Sequence, residues 1–139
     1  MTSELLTNDL SYATLHFNRS GGFIDVIFHG GISLKLLYET FNQIVAHPNF
    51  QFNINVCYDF SRAYPEIGLT EISQVIHFLK HNQDLRGADY KQALVAQDTL
   101  NTALLSIYKA QMSQSPVDIE VFSKKTAAIR WLIEDLDRH

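Results

Sequence analysis

FNINVCYDFSRAYPEIGLTEI, residues 52–72, decides how the chain folds. Its first half alternates: Phe52, Ile54, Val56 and Tyr58 are separated by Asn53, Asn55, Cys57 and Asp59, the period-two pattern of a half-buried strand. Pro65 and Gly68 interrupt it, and from Leu69 the residues Leu69, Ile72, Val75, Ile76 and Leu79 recur at helical spacing to about Asn82. A strand that runs into a helix is the start of a β-α-β unit, and the composition of its polar side then chooses between two arrangements. Strands of a doubly wound parallel sheet are covered on both faces and read as continuous apolar runs. Here one side carries two asparagines and an aspartate, and VDIEVF at 117–122 alternates in the same way through Asp118 and Glu120. The reading is a singly wound β-α superhelix, with helices mainly on one face and Asn53, Asn55, Asp118 and Glu120 looking outward.

The flanking sequence completes the order. YATLHFN (12–18) and GFIDVIFH (22–29) are strands joined by RSGG, whose paired glycines suit the positive φ of a tight hairpin turn. Ser33 can cap a helix that places Leu34, Leu37, Phe41, Ile44 and Val45 on one face and ends at Pro48. After the 69–82 helix, the polar link NQDLRGADY leads to the short strand KQALVA. Asp98 or Thr99 can cap a helix to about Ser113, and Pro116 precedes VDIEVF. Ser123 can cap a last helix to about Leu136. The expected fold is α/β with element order ββαβαβαβα, a mostly parallel five-stranded sheet and one antiparallel N-terminal strand. Residues 1–139 form one expected domain, with 1–11 as an N-terminal extension.

Composition narrows the function. A chain of 139 residues with 46% hydrophobic content can bury a core of its own. Its 15 acidic and 11 basic residues give a net charge of −4, the wrong sign for neutralising a phosphate backbone, so nucleic acid is not an expected partner. No apolar run reaches the ~20 residues of a spanning helix. MTSELLTNDL has neither the basic start nor the apolar core of a signal peptide, so a cytoplasmic location is expected. Cys57 is the lone cysteine and reads as a small buried side chain.

HGGIS (29–33), AHPNF (46–50), VCYDFS (56–61), ALVAQDTL (93–100) and VFSKKTAAIRWL (121–132) together resemble the STAS or anti-sigma-factor-antagonist family, SpoIIAA-like, over roughly residues 12–133. The likeness is nearer to the small stand-alone bacterial branch often grouped with CRAL-TRIO-like lipid-binding domains. It implies the STAS/SpoIIAA-like fold, and none of these segments is a catalytic signature. In switch-type members the loop after the third strand resembles Asp-x-Ser followed by Asp-Ser-Ser-Gly-Leu, with a phosphate-accepting serine at the start of the next helix. Asp59, Ser61, Gly68 and Leu69 are kept, but Pro65, Glu66 and Ile67 stand before the glycine, so the acceptor serine is missing. Phosphorylation of this loop is not expected.

The residues offer two candidate sites. Lys124 and Lys125 fall in the first turn of the last helix, where the dipole favours acids. Such a violation can mark an anion site, and the carboxyl ends of the parallel strands would bring the pair beside Ser33, Asp59, Ser61, Arg62 and Asp98. The alternative is a surface lysine pair beside loop residues that bond their own backbone. The second site is an apolar stripe, Leu105, Tyr108 and Met112, set apart from an expected core stripe of Leu100, Ala103, Leu104 and Ile107 on the same helix. Left exposed, that stripe would receive an apolar ligand or a partner. Asp59, Ser61 and Arg62 lack a neighbouring histidine to activate the serine, so no catalytic residue is assigned. His77 and His81 have chelating spacing, but Phe78 stands between them and they oppose the apolar face, so no metal site is assigned. The expectation is a non-enzymatic domain, without cofactor, that binds a small apolar or amphiphilic, lipid-like ligand. Peripheral membrane association and a homodimer are compatible with that reading. The alternative is a regulatory protein-interaction module.

Overall fold

The structure, a computed structural model, describes residues 11–134. Its strands are β1 (Tyr12–Asn18), β2 (Phe23–Ile32), β3 (Asn55–Pro65), β4 (Lys91–Val95) and β5 (Asp118–Phe122). Its helices are α1 (Leu34–Ala46), α2 (Leu69–His81), the single turn α3 (Gln83–Arg86), α4 (Thr99–Gln111) and α5 (Lys125–Ile133). The sheet runs β1-β2-β3-β4-β5, with β1 antiparallel to β2 and all other pairs parallel. This is the α/β order read from the sequence, with α3 inserted in the polar link. The expected extension at 1–11 lies, except for Ser11, outside the described residues, as does Leu136 at the expected end of the last helix. Among the described residues no helix is long and apolar enough to cross a membrane.

Local chemistry sets the turns. Gly22 adopts φ +68° in the hairpin, its N–H donating to the Asn18 carbonyl at 2.9 Å, while Gly21 N donates to Asn18 Oδ1. Ser33 caps α1 by accepting from Leu36 N at 3.2 Å, and Asp98 caps α4 by accepting from Asn101 N at 2.9 Å. Each such cap is worth about 1 kcal/mol. Lys124, not Ser123, stands at the N-cap of α5, and no side chain caps that helix.

The three β-α-β crossovers place α1, α2 and α4 on one face of the sheet, against Ile24, Val26, Phe28, Val56, Phe60 and Leu94. That is the singly wound arrangement. After β5 the chain returns on the opposite face, where α5 sets Ala128 and Leu132 against Phe23, Cys57, Ala93 and Val95. The polar side of β3 is therefore not open, and the expectation that Asn55 looks outward is corrected. It is half-buried, accepting from Lys91 N at 2.8 Å and donating to the Leu132 carbonyl at 3.5 Å.

A second correction concerns α4. Leu100, expected in the core, is 58% exposed and Ala103 is exposed, while Met112 is 3% exposed and Leu105 and Tyr108 pack into the main core. Polar anchors fix the helix in this rotation. Asn101 Nδ2 donates to the Ala63 carbonyl at 3.0 Å, and the Tyr108 hydroxyl donates to Gln92 Oε1 at 2.8 Å. An apolar-only periodicity omits Asn101 and so misplaces the buried face. Leu69, expected inward on α2, is likewise 59% exposed.

Candidate functional site

Between the sheet and the three crossover helices lies a cavity of about 110 Å³. Phe28, Tyr58, Phe60 and Leu94 form its floor, and Phe41 of α1, Ile72 and Phe78 of α2, and Leu104, Leu105 and Tyr108 of α4 form its roof. No charged side chain lines it among the described residues. Stacked rings stiffen the walls: Phe28 with Phe60 at 5.0 Å, Phe28 with Tyr58 at 5.8 Å, and Tyr38 with Phe78 at 4.4 Å between centroids.

The cavity's few polar groups are mostly committed. Thr40 Oγ1 donates to the Leu36 carbonyl at 2.7 Å. Tyr108 donates to Gln92 Oε1, and Gln92 Nε2 donates to the Tyr90 hydroxyl at 3.1 Å, a relay across the core. The ring of Tyr90 in turn lies 3.7 Å beneath the guanidinium carbon of Arg86. Arg86 is only 2% exposed and donates to the Ile54 carbonyl at 2.6 Å. Tyr38 and Tyr58 differ: neither hydroxyl has a hydrogen-bond partner among the described residues. Burial pushes the phenols of Tyr58 and Tyr108 well above their usual range, and neighbouring tyrosines add to the shift.

The opposite face is ionic. Lys125 Nζ, in the first turn of α5, lies 2.9 Å from Asp25 Oδ2 and 3.3 Å from Asp59 Oδ2. Asp59 is set by a β-bulge: Ile27 pairs with Asp59 and His29 with Arg62, so Phe28 alone opposes Phe60 and Ser61. Asp59 Oδ1 closes the bulge by accepting from Ser61 N at 3.0 Å and Ser61 Oγ at 2.6 Å. Burial alone would raise the Asp59 carboxyl, but the Ser61 hydrogen bonds and the Lys125 ammonium outweigh it and hold it below the ordinary range. Lys125 mirrors this. Burial would lower it, but the bonds and charges of Asp25 and Asp59 raise it. Beneath them, desolvation pushes the Cys57 thiol up to about 12, so it stays an unreactive thiol at neutral pH.

No family model and no curated protein matches the sequence. In three dimensions the chain is similar to an uncharacterized protein of the DUF3478 family from Shewanella loihica PV-4, solved as a SpoIIAA-like fold. The TM-score is 0.60 at 12% identity, over 88% of this chain and 95% of that one. The fold is SpoIIAA-like. At that identity the likeness carries architecture alone, and it does not bear on a relation to CRAL-TRIO-like domains.

Within this SpoIIAA-like fold the seven polar candidates fall into separate groups. Asp59, Ser61 and Lys125 meet at the bulge. Ser33 and Asp98 are engaged as caps of α1 and α4, and Arg62 and Lys124 are exposed. The segment before Gly68, where no acceptor serine stands, supplies Pro65 and Ile67 to the cavity wall. His77 and His81 are exposed, their rings 4.0 Å apart. Leu105 and Tyr108 line the cavity, whereas Met112 lies in the core beside it. Sequence reasoning missed Asp25, although an acid inside the apolar run FIDVIF is a readable signal. It also missed Gln92 and Arg86, which nothing in their local pattern marks as buried.

Proposed function

We propose that the protein is a binding domain rather than an enzyme, and that it holds a small apolar or amphiphilic ligand in the cavity beneath α1, α2 and α4. The cavity itself supports this reading: about 110 Å³ of space walled by aromatic and aliphatic side chains. An apolar void of roughly 150 Å³ stays dry and takes up benzene, so this one suits a group of about that size or the end of a longer chain. The absence of a catalytic role is supported by the polar cluster. Ser61 gives its hydrogen bond to a carboxylate that is a weakened base, and among the described residues no histidine bonds to it. The test is titration with benzene followed by amide chemical shifts. Shifts are expected to concentrate on Phe28, Tyr58, Leu94 and Leu105, and Leu105→Trp, which fills the space, should abolish them. Shifts confined to other regions, or unchanged in that variant, would refute the reading.

A further inference from the structure

The cavity is apolar but not uniformly so, and its polar groups are unequal. Gln92 uses both ends of its amide, Tyr108 has given its proton to Gln92, and Thr40 has given its own to the backbone of α1. Two lining hydroxyls stay uncommitted among the described residues: that of Tyr38, which stacks on Phe78 and also borders the open surface groove beside His77 and His81, and that of Tyr58, which stands on the sheet that floors the cavity, in a wall with no charge on it. Tyr58 is half-buried and its hydroxyl is not sealed in the core, so the unmet donor is open to a molecule in the cavity, and such groups are ordinarily satisfied by a protein atom, a water or a ligand. We propose that the ligand is a neutral molecule of roughly benzene size that carries one oxygen, as an alcohol, phenol or ketone, and that Tyr58 recognises this oxygen by donating its hydroxyl hydrogen. The inference rests on the binding reading above and adds to it the ligand's class and the residue that selects it.

Three features converge on this class. The volume limits the buried part to a few carbon atoms. The uncharged lining excludes carboxylate, phosphate and ammonium groups, because a buried charge without a partner costs far more than the cavity returns. The free donor rewards an accepting oxygen over a plain hydrocarbon. Tyr58 lies on β3, the central strand, with its ring stacked against Phe28, so its hydroxyl is placed by the sheet and not by a loop.

The experiment compares benzene, phenol and benzoate at pH 7 on wild type and Tyr58→Phe, by calorimetry or ligand-observed NMR. Because the hydroxyl has no partner to abandon, Tyr58→Phe should fold and unfold like wild type. Wild type should prefer phenol over benzene and reject benzoate. In Tyr58→Phe that preference should fall by about three- to tenfold, the range of one neutral hydrogen bond. Benzene binding should be unchanged or slightly improved. If benzene binds but the phenol preference survives the substitution, Tyr58 is not the selecting group and this inference fails while the cavity reading stands. If benzoate binds as well as phenol, the neutral class is wrong. If none of the three binds, both readings fail.

Discussion

The two faces of the sheet are built from the same strands and packed in opposite ways. On one face three crossover helices lie side by side over aromatic rings and leave a cavity whose polar lining is neutral. On the other a single helix sits close, over Cys57 and Ala93 with its own Ala128, and is held by polar groups at both ends. Lys125 binds Asp25 and Asp59 at its start, while Lys91 Nζ donates to the Trp131 carbonyl and Asn55 to the Leu132 carbonyl at its end. Small residues permit close approach of helix and sheet, and the cavity lies on the face of the large flat ones. The position of the cavity therefore follows from how a face is covered. The strand that supplies Tyr58 to the cavity supplies Cys57 and Asp59 to the clamp by simple alternation.

The sharpest way to break that comparison is to loosen the tight face. Leu132 is 1% exposed, and Leu132→Ala should cost about 2–5 kcal/mol, read by denaturant unfolding. A loss under about 0.5 kcal/mol, the range of surface substitutions, would mean that α5 merely rests on the sheet. The faces should next respond with opposite sign to added volume. Ala128→Leu forces methyl groups into a filled space and should destabilise by about 1–3 kcal/mol. Val75→Leu, on the cavity wall, should be neutral or stabilising by up to about 1 kcal/mol and should weaken benzene binding. Equal penalties at both sites would erase the distinction.

The ionic clamp carries the pH dependence. Asp59 titrates below its ordinary value in the folded state, so its contribution is present above the unfolded carboxyl pKa of ~3.9 and is lost as pH falls through the lower, folded value. Lys125 titrates above its ordinary value, so its contribution is present below ~10.4 and is lost as pH rises through the higher, folded value. The clamp is complete between those limits. Lys125→Met leaves Asp25 and Asp59 facing each other without a cation. It should cost on the order of 1 kcal/mol at pH 7, since the ammonium is partly solvated. In thermal melts the loss of stability between pH 5 and 3 should be shallower than in wild type; an identical acid limb would show that the clamp contributes nothing to it.

Most of the architecture was legible because it depends on period and order. The strand pattern at 55–60 and the helical spacing after Gly68 depend only on side-chain polarity, and both elements are present in the structure, although β3 starts at Asn55, so Phe52 falls before it and is 59% exposed. What escaped the sequence depends on partners distant in the chain. Asp25 and Lys125 are one hundred residues apart, and only the return of α5 across the second face joins them. The bulge that carries β3 through Ser61 to Pro65 has the sequence of a loop, because Ser61, Arg62 and Pro65 break the alternation and hide the pairing with β2. The cavity has no linear signature at all, being the space left between elements.

The smallest expected effect falls on α4, where sequence periodicity and structure part. Leu100 belongs to the apolar spacing that predicts a core stripe, yet the anchors from Asn101 to Ala63 and from Tyr108 to Gln92 turn it to solvent. Leu100→Ser should therefore change stability by no more than about 0.5 kcal/mol, the range of surface substitutions. Met112→Ala, twelve residues along the chain and buried, should cost about 2–5 kcal/mol. Hydrogen bonds of this kind are individually modest, about 1 kcal/mol net, but each leaves a buried polar group orphaned if the helix rotates. Rotating α4 toward its apolar period would orphan Asn101 and Tyr108 together and gain only Leu100 and Ala103 in return. Equilibrium unfolding of the two variants decides the matter: if Leu100→Ser is the costlier, the helix is turned the other way and Tyr108 leaves the cavity wall.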